Sequence, residues 1–286
     1  EVKRSMNLAQ LVQQAESVFV LPESVTRLKA CIDDESSSID DVAEIISFDP
    51  TLTSQLLKIA NSALYNFTSP IETITKAIQV IGTRATYDLA LSYGISHTLK
   101  TVETTIIDID RFWEQSVSCA LLAKHLAEKK RIRESERFFV TGLLHNIGEL
   151  AMIKVAPDMA KRCLNTDKDT SSIYLQKEVM GFTYCDYSAE LIKDWGLPPS
   201  IYRPIATLLE TDLSQLDTHA LIVKQAYLLA QDNVNADINV GYPPVGPALL
   251  AALKLTEDDA EEALDETNMQ LISVIQLFNP SAFNIF

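Results

Sequence analysis

Residues 48–82, FDPTLTSQLLKIANSALYNFTSPIETITKAIQVIG, carry the clearest structural pattern of this chain. The Asp49-Pro50 pair predicts a helix start, because proline lacks an N–H and fits the first helical position without loss. The helix so begun carries TLTSQLLKIANSALYN, and a short FTSP break separates it from a second helix, IETITKAIQVIG. Gly82 is placed to end the second helix, since glycine adopts the conformations that helix ends require. This stretch therefore predicts two consecutive helices.

The same helical pattern extends on both sides of this stretch. Long segments place apolar residues at i, i+3, i+4 and i+7 instead of alternating them, and only 8 glycines occur in 286 residues. Near the start, Leu8, Leu11, Val12 and Ala15 share one helical face. No strand signal is convincing and no sequence period recurs, so the sequence predicts an all-α fold.

Two pairs of residues predict helix starts elsewhere. Ser38 with Asp41, and Thr183 with Asp186, combine a capping residue with an acidic residue in the first turn. The segment INVGYPPVGP at 238–247 contains three prolines and two glycines, which predicts a loop that insulates the final helices.

Charge and composition restrict the classes of partner. The net charge of −15 argues against nucleic acid, whose backbone is itself anionic, and favours a basic partner protein. Four cysteines without a CxxC pair are typical of reduced thiols. No apolar run approaches the ~18 residues that span a bilayer, and the first residues lack the apolar core of a signal peptide. We therefore expect a cytoplasmic protein with no membrane partner.

One histidine has a setting that suggests chemistry. In FFVTGLLHNIGELAMI, residues 138–153, His145 lies within an apolar helix and is followed by Asn146. Metal-holding helices of hydrolase cores look similar, but there aspartate usually follows the histidine. None of the four histidines is three or four residues from another, so no HExxH-type zinc signature exists, and no glycine-rich phosphate loop or GxSxG elbow occurs. A lone histidine on an apolar helix is more often a satisfied core residue than a ligand.

Two regions together resemble the HD-related output domain (HDOD) family of bacterial signal-transduction proteins. Within residues 48–82, the resemblance includes the acidic residue before proline and the run Leu-Leu-x-x-Ala-Asn-Ser-Ala-x-Tyr. The second region is GLLHNIGEL followed by EVMGFTYCDYSAELIKDWGLP, and FVLPESVTRL resembles the usual start of the family. The similarity covers roughly residues 18–210.

The resemblance implies a multi-helical HD-like bundle and a division of the chain into domains. Residues 1–17 are expected to form an N-terminal helix, and residues 18–210 the HDOD domain. That domain is expected to consist of an N-terminal helical lobe at 18–105 and a degenerate HD-like lobe at 106–210. Residues 211–286 are expected to form a C-terminal helical extension.

The resemblance also implies that a metal site has been lost. In the related hydrolases a His, an adjacent His-Asp pair and a later Asp hold the metal. This chain places Gln115 at the first position, His145-Asn146 at the pair and Tyr227 at the last. Two neutral amides, one imidazole and a phenol with a pKa near ~10 do not supply the anionic ligands that a divalent ion needs. We therefore expect no metal, no cofactor and no catalytic residue at these positions.

The predicted function is a non-catalytic signal-transduction or scaffold module that acts by protein–protein interaction. Members of the family occur beside, or fused to, response-regulator, cyclic-dinucleotide and kinase domains. No such domain is recognised in this chain, so any input or output domain is expected on a separate protein of the same signalling pathway.

Three alternatives stay open at this point. The cleft lined by Gln115, His145, Asn146 and Tyr227 could sense a small molecule such as a nucleotide. It could instead be filled by side chains, as a packed core with a polar network. The third alternative is a residual metal-dependent phosphohydrolase, which would need carboxylate ligands from elsewhere. The carboxylates considered for it are Asp186 and Asp194.

Overall fold

The structure of this chain is a computed structural model, and its regular elements within the described residues are all helices. The predicted all-α fold is therefore confirmed. The loop predicted at 238–247 lies outside the described residues, apart from Pro247 at its end. The described residues are 7–34, 36–65, 67–99, 102, 105–164, 171–236 and 247–278.

Sixteen α-helices and one short 3-10 helix, Leu213–Gln215, make up the regular structure of the described part of the chain. The α-helices are α1 (Leu8–Val18), α2 (Glu23–Asp33), α3 (Ile39–Ser47), α4 (Pro50–Ala60), α5 (Ile74–Ile81), α6 (Thr83–Leu99), α7 (Ile109–Lys129), α8 (Glu136–Leu144), α9 (Ile147–Val155), α10 (Pro157–Arg162), α11 (Ser172–Met180), α12 (Tyr184–Asp194), α13 (Pro199–Ala206), α14 (Thr218–Asn235), α15 (Pro247–Leu253) and α16 (Glu257–Phe278).

The helix starts predicted from local pairs are confirmed by their hydrogen bonds. The backbone N–H of Asp41 donates to Ser38 Oγ at 3.2 Å, and the backbone N–H of Ser38 donates to Asp41 Oδ2 at 2.7 Å. Thr183 and Asp186 make the same reciprocal pair at the start of α12, at 3.2 and 2.8 Å. Each pair satisfies two backbone N–H groups that a helix start leaves without an internal partner.

The helix predicted over TLTSQLLKIANSALYN ends earlier than that run, at Ala60. The side chain of Asn61 explains the difference. Its Nδ2 donates to the carbonyl oxygens of Leu57 and Ile71, both at 2.8 Å, and its Oδ1 accepts from the N–H of Ile71 at 2.7 Å. This amide ends α4 and attaches the chain just before α5 to it.

Contacts divide the chain into two compact units. The larger unit comprises Glu1–Phe19 and Val102–Thr267, and the smaller one comprises Val20–Thr101 and Asn268–Phe286. In the smaller unit α6 is buried along most of its length, and α2, α4 and α5 pack against it. The domain boundaries expected at residues 17, 105 and 210 rest on resemblance and not on contacts, so they stay a prediction.

In the larger unit, α7 packs against α8 and α14, and α12 packs against α9 and α13. Two glycines permit the closest approaches. A Cβ at Gly142 of α8 would lie 2.6 Å from Ala120 Cα and 2.7 Å from Ala120 N on α7. A Cβ at Gly148 of α9 would lie 2.5 Å from Tyr184 O. The short segment between these glycines is therefore held against neighbouring backbone on both sides.

Helix α1 belongs to the larger unit although the residues of the smaller unit follow it directly in sequence. The hydroxyl of Tyr187, on α12, donates to the carbonyl oxygen of Leu11 at 2.8 Å. Leu11 and Ala15 are fully buried in the face that α1 presents to α9 and α12. The predicted face residues Leu8 and Val12 are only half-buried.

Within the described residues, Glu136–Val155 is the one segment that passes a length and hydropathy test for crossing a membrane. Its best window is 78% buried inside the protein, and the turn at 145–146 divides it between α8 and α9. The sequence contains no uninterrupted apolar run near ~18 residues, and this segment passes because an average of hydropathy tolerates the charged residues that interrupt its apolar run.

Candidate functional site

A cavity of about 340 Å³ lies within the larger unit, and all four of the predicted site residues line it. Gln115 reaches it from α7, His145 and Asn146 from the turn between α8 and α9, and Tyr227 from α14. Its volume falls within the ~300–1,000 Å³ that is usual for small-molecule sites. The structure thus brings together residues that are up to 112 positions apart in sequence.

The segment around His145 and Asn146 is a turn, and the continuous helix predicted for residues 138–153 is wrong at this point. Asn146 has φ −115° and ψ 13°, which is outside helical geometry. Its Oδ1 accepts a hydrogen bond from Ser116 Oγ of α7 at 2.9 Å. The side chain of Asn146 therefore fixes this turn to α7, at the cavity.

His145 is a buried, neutral imidazole with one nitrogen occupied. Its Nδ1 lies 2.6 Å from the carbonyl oxygen of Gly142, which can only accept, so Nδ1 carries the proton. Burial lowers the pKa of His145 to about 4. Nε2 is then a hydrogen-bond acceptor, and no described residue donates to it. The ring meets Tyr227 edge-on, with 5.2 Å between the ring centroids.

Gln115 presents the complementary group. Its Oε1 accepts from Asn235 Nδ2 at 3.0 Å, which orients the amide. Its Nε2 is buried, and its two hydrogens find no acceptor among the described residues. A buried donor without a partner costs ~1–3 kcal/mol unless water or a ligand satisfies it. The described residues of the cavity wall thus include one unpartnered acceptor atom and one unpartnered donor atom.

Several polar residues of the cavity wall were not among the predicted ones, because the family motif singles out only metal-ligand positions. Arg111 precedes Gln115 by four positions on α7, and Gln231 and Asn235 follow Tyr227 by four and eight positions on α14. Positions four apart share a helical face, so a step of four along these two helices would have found them. Glu149, which lies beyond the turn at 145–146, and Gln176 on α11 have no such relation to a predicted residue.

Glu149 is a carboxyl group at the cavity with a strongly perturbed proton affinity. Burial raises the pKa of Glu149 to about 7. The carboxylates considered for a phosphohydrolase lie elsewhere: neither Asp186 nor Asp194 lines the cavity, and Asp186 accepts the backbone N–H of Thr183. Of the carboxyl groups in the cavity wall, Glu149 is therefore the one nearest to His145 in sequence.

The pKa values of Glu149 and His145 have opposite effects on stability as pH changes. For Glu149 the folded pKa of about 7 exceeds the ordinary 4.5, so stability falls as pH rises between these values. For His145 the folded pKa of about 4 is below the ordinary 6.5, so stability rises with pH between these values. The two slopes offset each other over the range that they share.

In the variant Glu149→Gln, the free energy of unfolding should therefore change with pH as His145 alone dictates. We expect the free energy of unfolding of the variant to rise between about pH 4 and about pH 6.5, and to exceed that of the unaltered protein above pH 7 by roughly 1–3 kcal/mol. Urea unfolding across a pH series measures this. Glu178→Gln, an exposed residue of α11, is the matched control and should leave the pH profile unchanged. Equal profiles for Glu149→Gln and Glu178→Gln would contradict the assignment.

The donor set of the cavity does not fit a divalent metal ion. It includes a neutral imidazole, amides, phenols, thiols and two carboxyl groups: Asp108, whose Oδ1 accepts two backbone N–H groups, and Glu149, which is half protonated near neutral pH. Within the described ranges no group of three or more His, Cys, Asp or Glu side chains is arranged to hold a metal. Divalent ions require several anionic or imidazole ligands to offset their dehydration, and Gln115 and Asn146 provide neither.

Comparison with known proteins gives a consistent result at the level of sequence. Residues 18–209 match the sequence profile of the HDOD domain family. A curated relative, an uncharacterised protein of Treponema pallidum (strain Nichols), is 23% identical over 203 residues, which are 69% of this chain. The aligned region spans only 38% of that relative's length.

Solved structures with the same arrangement of helices establish the fold. A protein of Shewanella amazonensis SB2B, provisionally named a phosphohydrolase, is 23% identical with a TM-score of 0.73, covering 94% of this chain and 97% of that one. An HDOD domain protein of unknown function from Geobacter sulfurreducens is 19% identical with a TM-score of 0.70, covering 98% and 100%. A protein of Marinobacter aquaeolei VT8, provisionally named a signal transduction protein, is 19% identical with a TM-score of 0.70, covering 96% and 67%.

Proposed function

The chain belongs to the HDOD domain family, and from that premise we propose that it is a non-catalytic signal-transduction module that acts by binding other proteins. One observation carries the proposal. The four positions that would hold the metal in a hydrolase, Gln115, His145, Asn146 and Tyr227, provide one imidazole and no carboxylate, and no metal-holding cluster of His, Cys, Asp or Glu occurs among the described residues. A helical domain without a catalytic metal can still change conformation when it binds a partner, and such a change is sufficient for signalling.

The surface charge supports a particular kind of partner. With a net charge of −15, the chain attracts basic protein surfaces and repels nucleic acid. The similar Marinobacter protein is provisionally named a signal transduction protein, which agrees with this role. We therefore propose a basic partner protein in a signalling pathway of the cell interior.

A second function, a small-molecule sensor, is favoured by a separate observation. Two buried polar atoms at the cavity, His145 Nε2 and Gln115 Nε2, have no partner among the described residues. A packed core would be expected to satisfy such atoms, whereas a binding site leaves them for its ligand. Sensing and partner binding are compatible, because a ligand can bias the conformation that a partner recognises.

Metal content and hydrolysis together test the proposal. The native protein is purified without chelators and assayed by elemental analysis and for hydrolysis of p-nitrophenyl phosphate with added Mn²⁺ or Mg²⁺. We expect substoichiometric metal and no hydrolysis above background, and His145→Ala should change neither result. His219→Ala, a histidine that does not line the cavity, is the matched control. Stoichiometric metal that is lost in His145→Ala and kept in His219→Ala would overturn the proposal in favour of a phosphohydrolase.

A further inference from the structure

Two buried polar atoms without a partner among the described residues, Gln115 Nε2 and His145 Nε2, belong to residues that line the same cavity. The residues that follow them in sequence, Ser116 and Asn146, are hydrogen-bonded to each other: Ser116 Oγ donates to Asn146 Oδ1 at 2.9 Å. This bond attaches α7 to the turn at 145–146. Gln115 Nε2 is a donor and His145 Nε2 an acceptor, so the residues of one cavity wall include an unpartnered donor and an unpartnered acceptor.

Charge at the cavity argues against an ionic ligand. Among the described residues of the wall, Arg111 is the one with a permanent positive charge, and its Nη2 already donates to Val234 O at 3.0 Å. Asp108 is likewise occupied, because its Oδ1 accepts the backbone N–H groups of Asp110 and Arg111. Phosphate recognition usually needs several cations or a row of free N–H groups. The polar lining is otherwise dominated by neutral groups.

Aromatic side chains define the shape that the cavity accepts. Phe112, Tyr184 and Tyr227 all line it, and they come from three different helices. Aromatic faces and edges favour a flat ring between them. The volume of about 340 Å³ lies within the ~300–1,000 Å³ that is usual for small-molecule sites, so a single heterocycle can enter.

We infer that this cavity binds a small, neutral, planar heterocycle in which an N–H group lies next to a carbonyl, as in a lactam or a cyclic imide. The N–H of the ligand donates to His145 Nε2, and its carbonyl oxygen accepts from Gln115 Nε2. This inference rests on the proposed function and specifies the ligand class of the sensor. It assigns Gln115 and His145 as the residues that select the ligand.

Binding of simple probes tests the inference on the native protein. Uracil, 2-pyridone and hypoxanthine are titrated into the protein by calorimetry and in thermal unfolding. We expect at least one of them to bind and to raise the unfolding temperature. 1,3-Dimethyluracil, which has the shape of uracil without an N–H, should bind at least ~10-fold more weakly, because the acceptor on His145 is then left unpaired. Orotate, the same ring with a negative charge, should also bind more weakly than uracil.

Two matched variants locate the binding. Gln115→Met keeps the side-chain length and removes the donor, so we expect at least a ~10-fold loss of probe affinity. Gln225→Met makes the same change at a buried glutamine of α14 that does not line the cavity, and it should keep the affinity. If Gln115→Met does not fold, the comparison of uracil with 1,3-dimethyluracil on the unaltered protein decides the question.

Three outcomes would overturn the inference: no probe binds, dimethyluracil or orotate binds as tightly as uracil, or Gln115→Met binds as well as Gln225→Met. Elemental analysis of the same preparation separates the two proposals. Absence of probe binding in a metal-free protein rejects the ligand class and leaves the signalling module intact. Stoichiometric metal at His145 rejects the signalling proposal itself.

Discussion

Gly142→Ala is expected to lower the free energy of unfolding by about 3 kcal/mol, because one added methyl group forces two helices apart. The new Cβ would lie 2.6 Å from Ala120 Cα and 2.7 Å from Cys119 O, and these are backbone atoms of α7. Backbone cannot rotate away as a side-chain end can, so α8 has to shift as a whole. The shift would also move the turn that carries His145.

Urea unfolding followed by far-ultraviolet circular dichroism measures this loss. Gly94→Ala is the matched control, since Gly94 is also a buried helical glycine whose added Cβ would make a short contact. That contact, at 2.7 Å, is with Val25 Cγ2, which is a side-chain atom and not a backbone atom. We expect a smaller loss there, because a side chain can shift further than the backbone of a packed helix. Equal losses in the two variants would show that close approach of backbone is not what Gly142 permits.

The largest functional gain is expected from restoring ligands at the positions that the family resemblance identifies. Gln115→His, Asn146→Asp and Tyr227→Asp, combined in one protein, would add an imidazole and two carboxylates beside the open Nε2 of His145. Such a set suits a divalent transition ion. We expect the triple variant to bind Mn²⁺ or Co²⁺ more tightly than the unaltered protein does. At a 100-fold excess of metal over Kd, its free energy of unfolding should rise by about 2.7 kcal/mol.

Equilibrium dialysis with elemental analysis measures the gain. A fourth change, His145→Ala in the triple variant, is the control and should abolish the added binding. Metal binding that persists without His145 would place the ion elsewhere. Failure of the triple variant to bind, while it stays folded, would mean that these positions do not converge as the shared cavity indicates.

The number of sequence positions between two hydrogen-bonding partners determines how much of the fold could be predicted from sequence. Ser38 and Thr183 pair with residues three positions later, so a local pattern was sufficient to locate those helix starts. Asn61 and Asn146 instead end or interrupt helices by bonds to Ile71 and Ser116, which are ten and thirty positions away. No local pattern contains such partners, so the early end of α4 and the break between α8 and α9 were not foreseen.

The candidate site shows the same division. Family resemblance was able to name Gln115, His145, Asn146 and Tyr227, because motif positions are sequence information. The proton affinity of Glu149 could not be predicted, because its pKa of about 7 results from burial by side chains of other helices. Likewise, the absence of a hydrogen-bond partner for Gln115 Nε2 and His145 Nε2 among the described residues can be seen only when all of their neighbours are in place.

Because α1 belongs to the larger unit, its packing partner α12 is synthesised on the ribosome long after α1 itself. Leu11 and its partner Tyr187 are 176 positions apart, and residues 20–101 of the smaller unit are translated between them. At 5–20 residues per second, α1 waits roughly 9–35 s for the helix that covers it. During that interval its apolar stripe is available to chaperones that bind nascent chains, whereas most of the smaller unit, residues 20–101, can already begin to fold. In a newly made molecule, the apolar face of α1 can therefore be buried only after α12 has emerged.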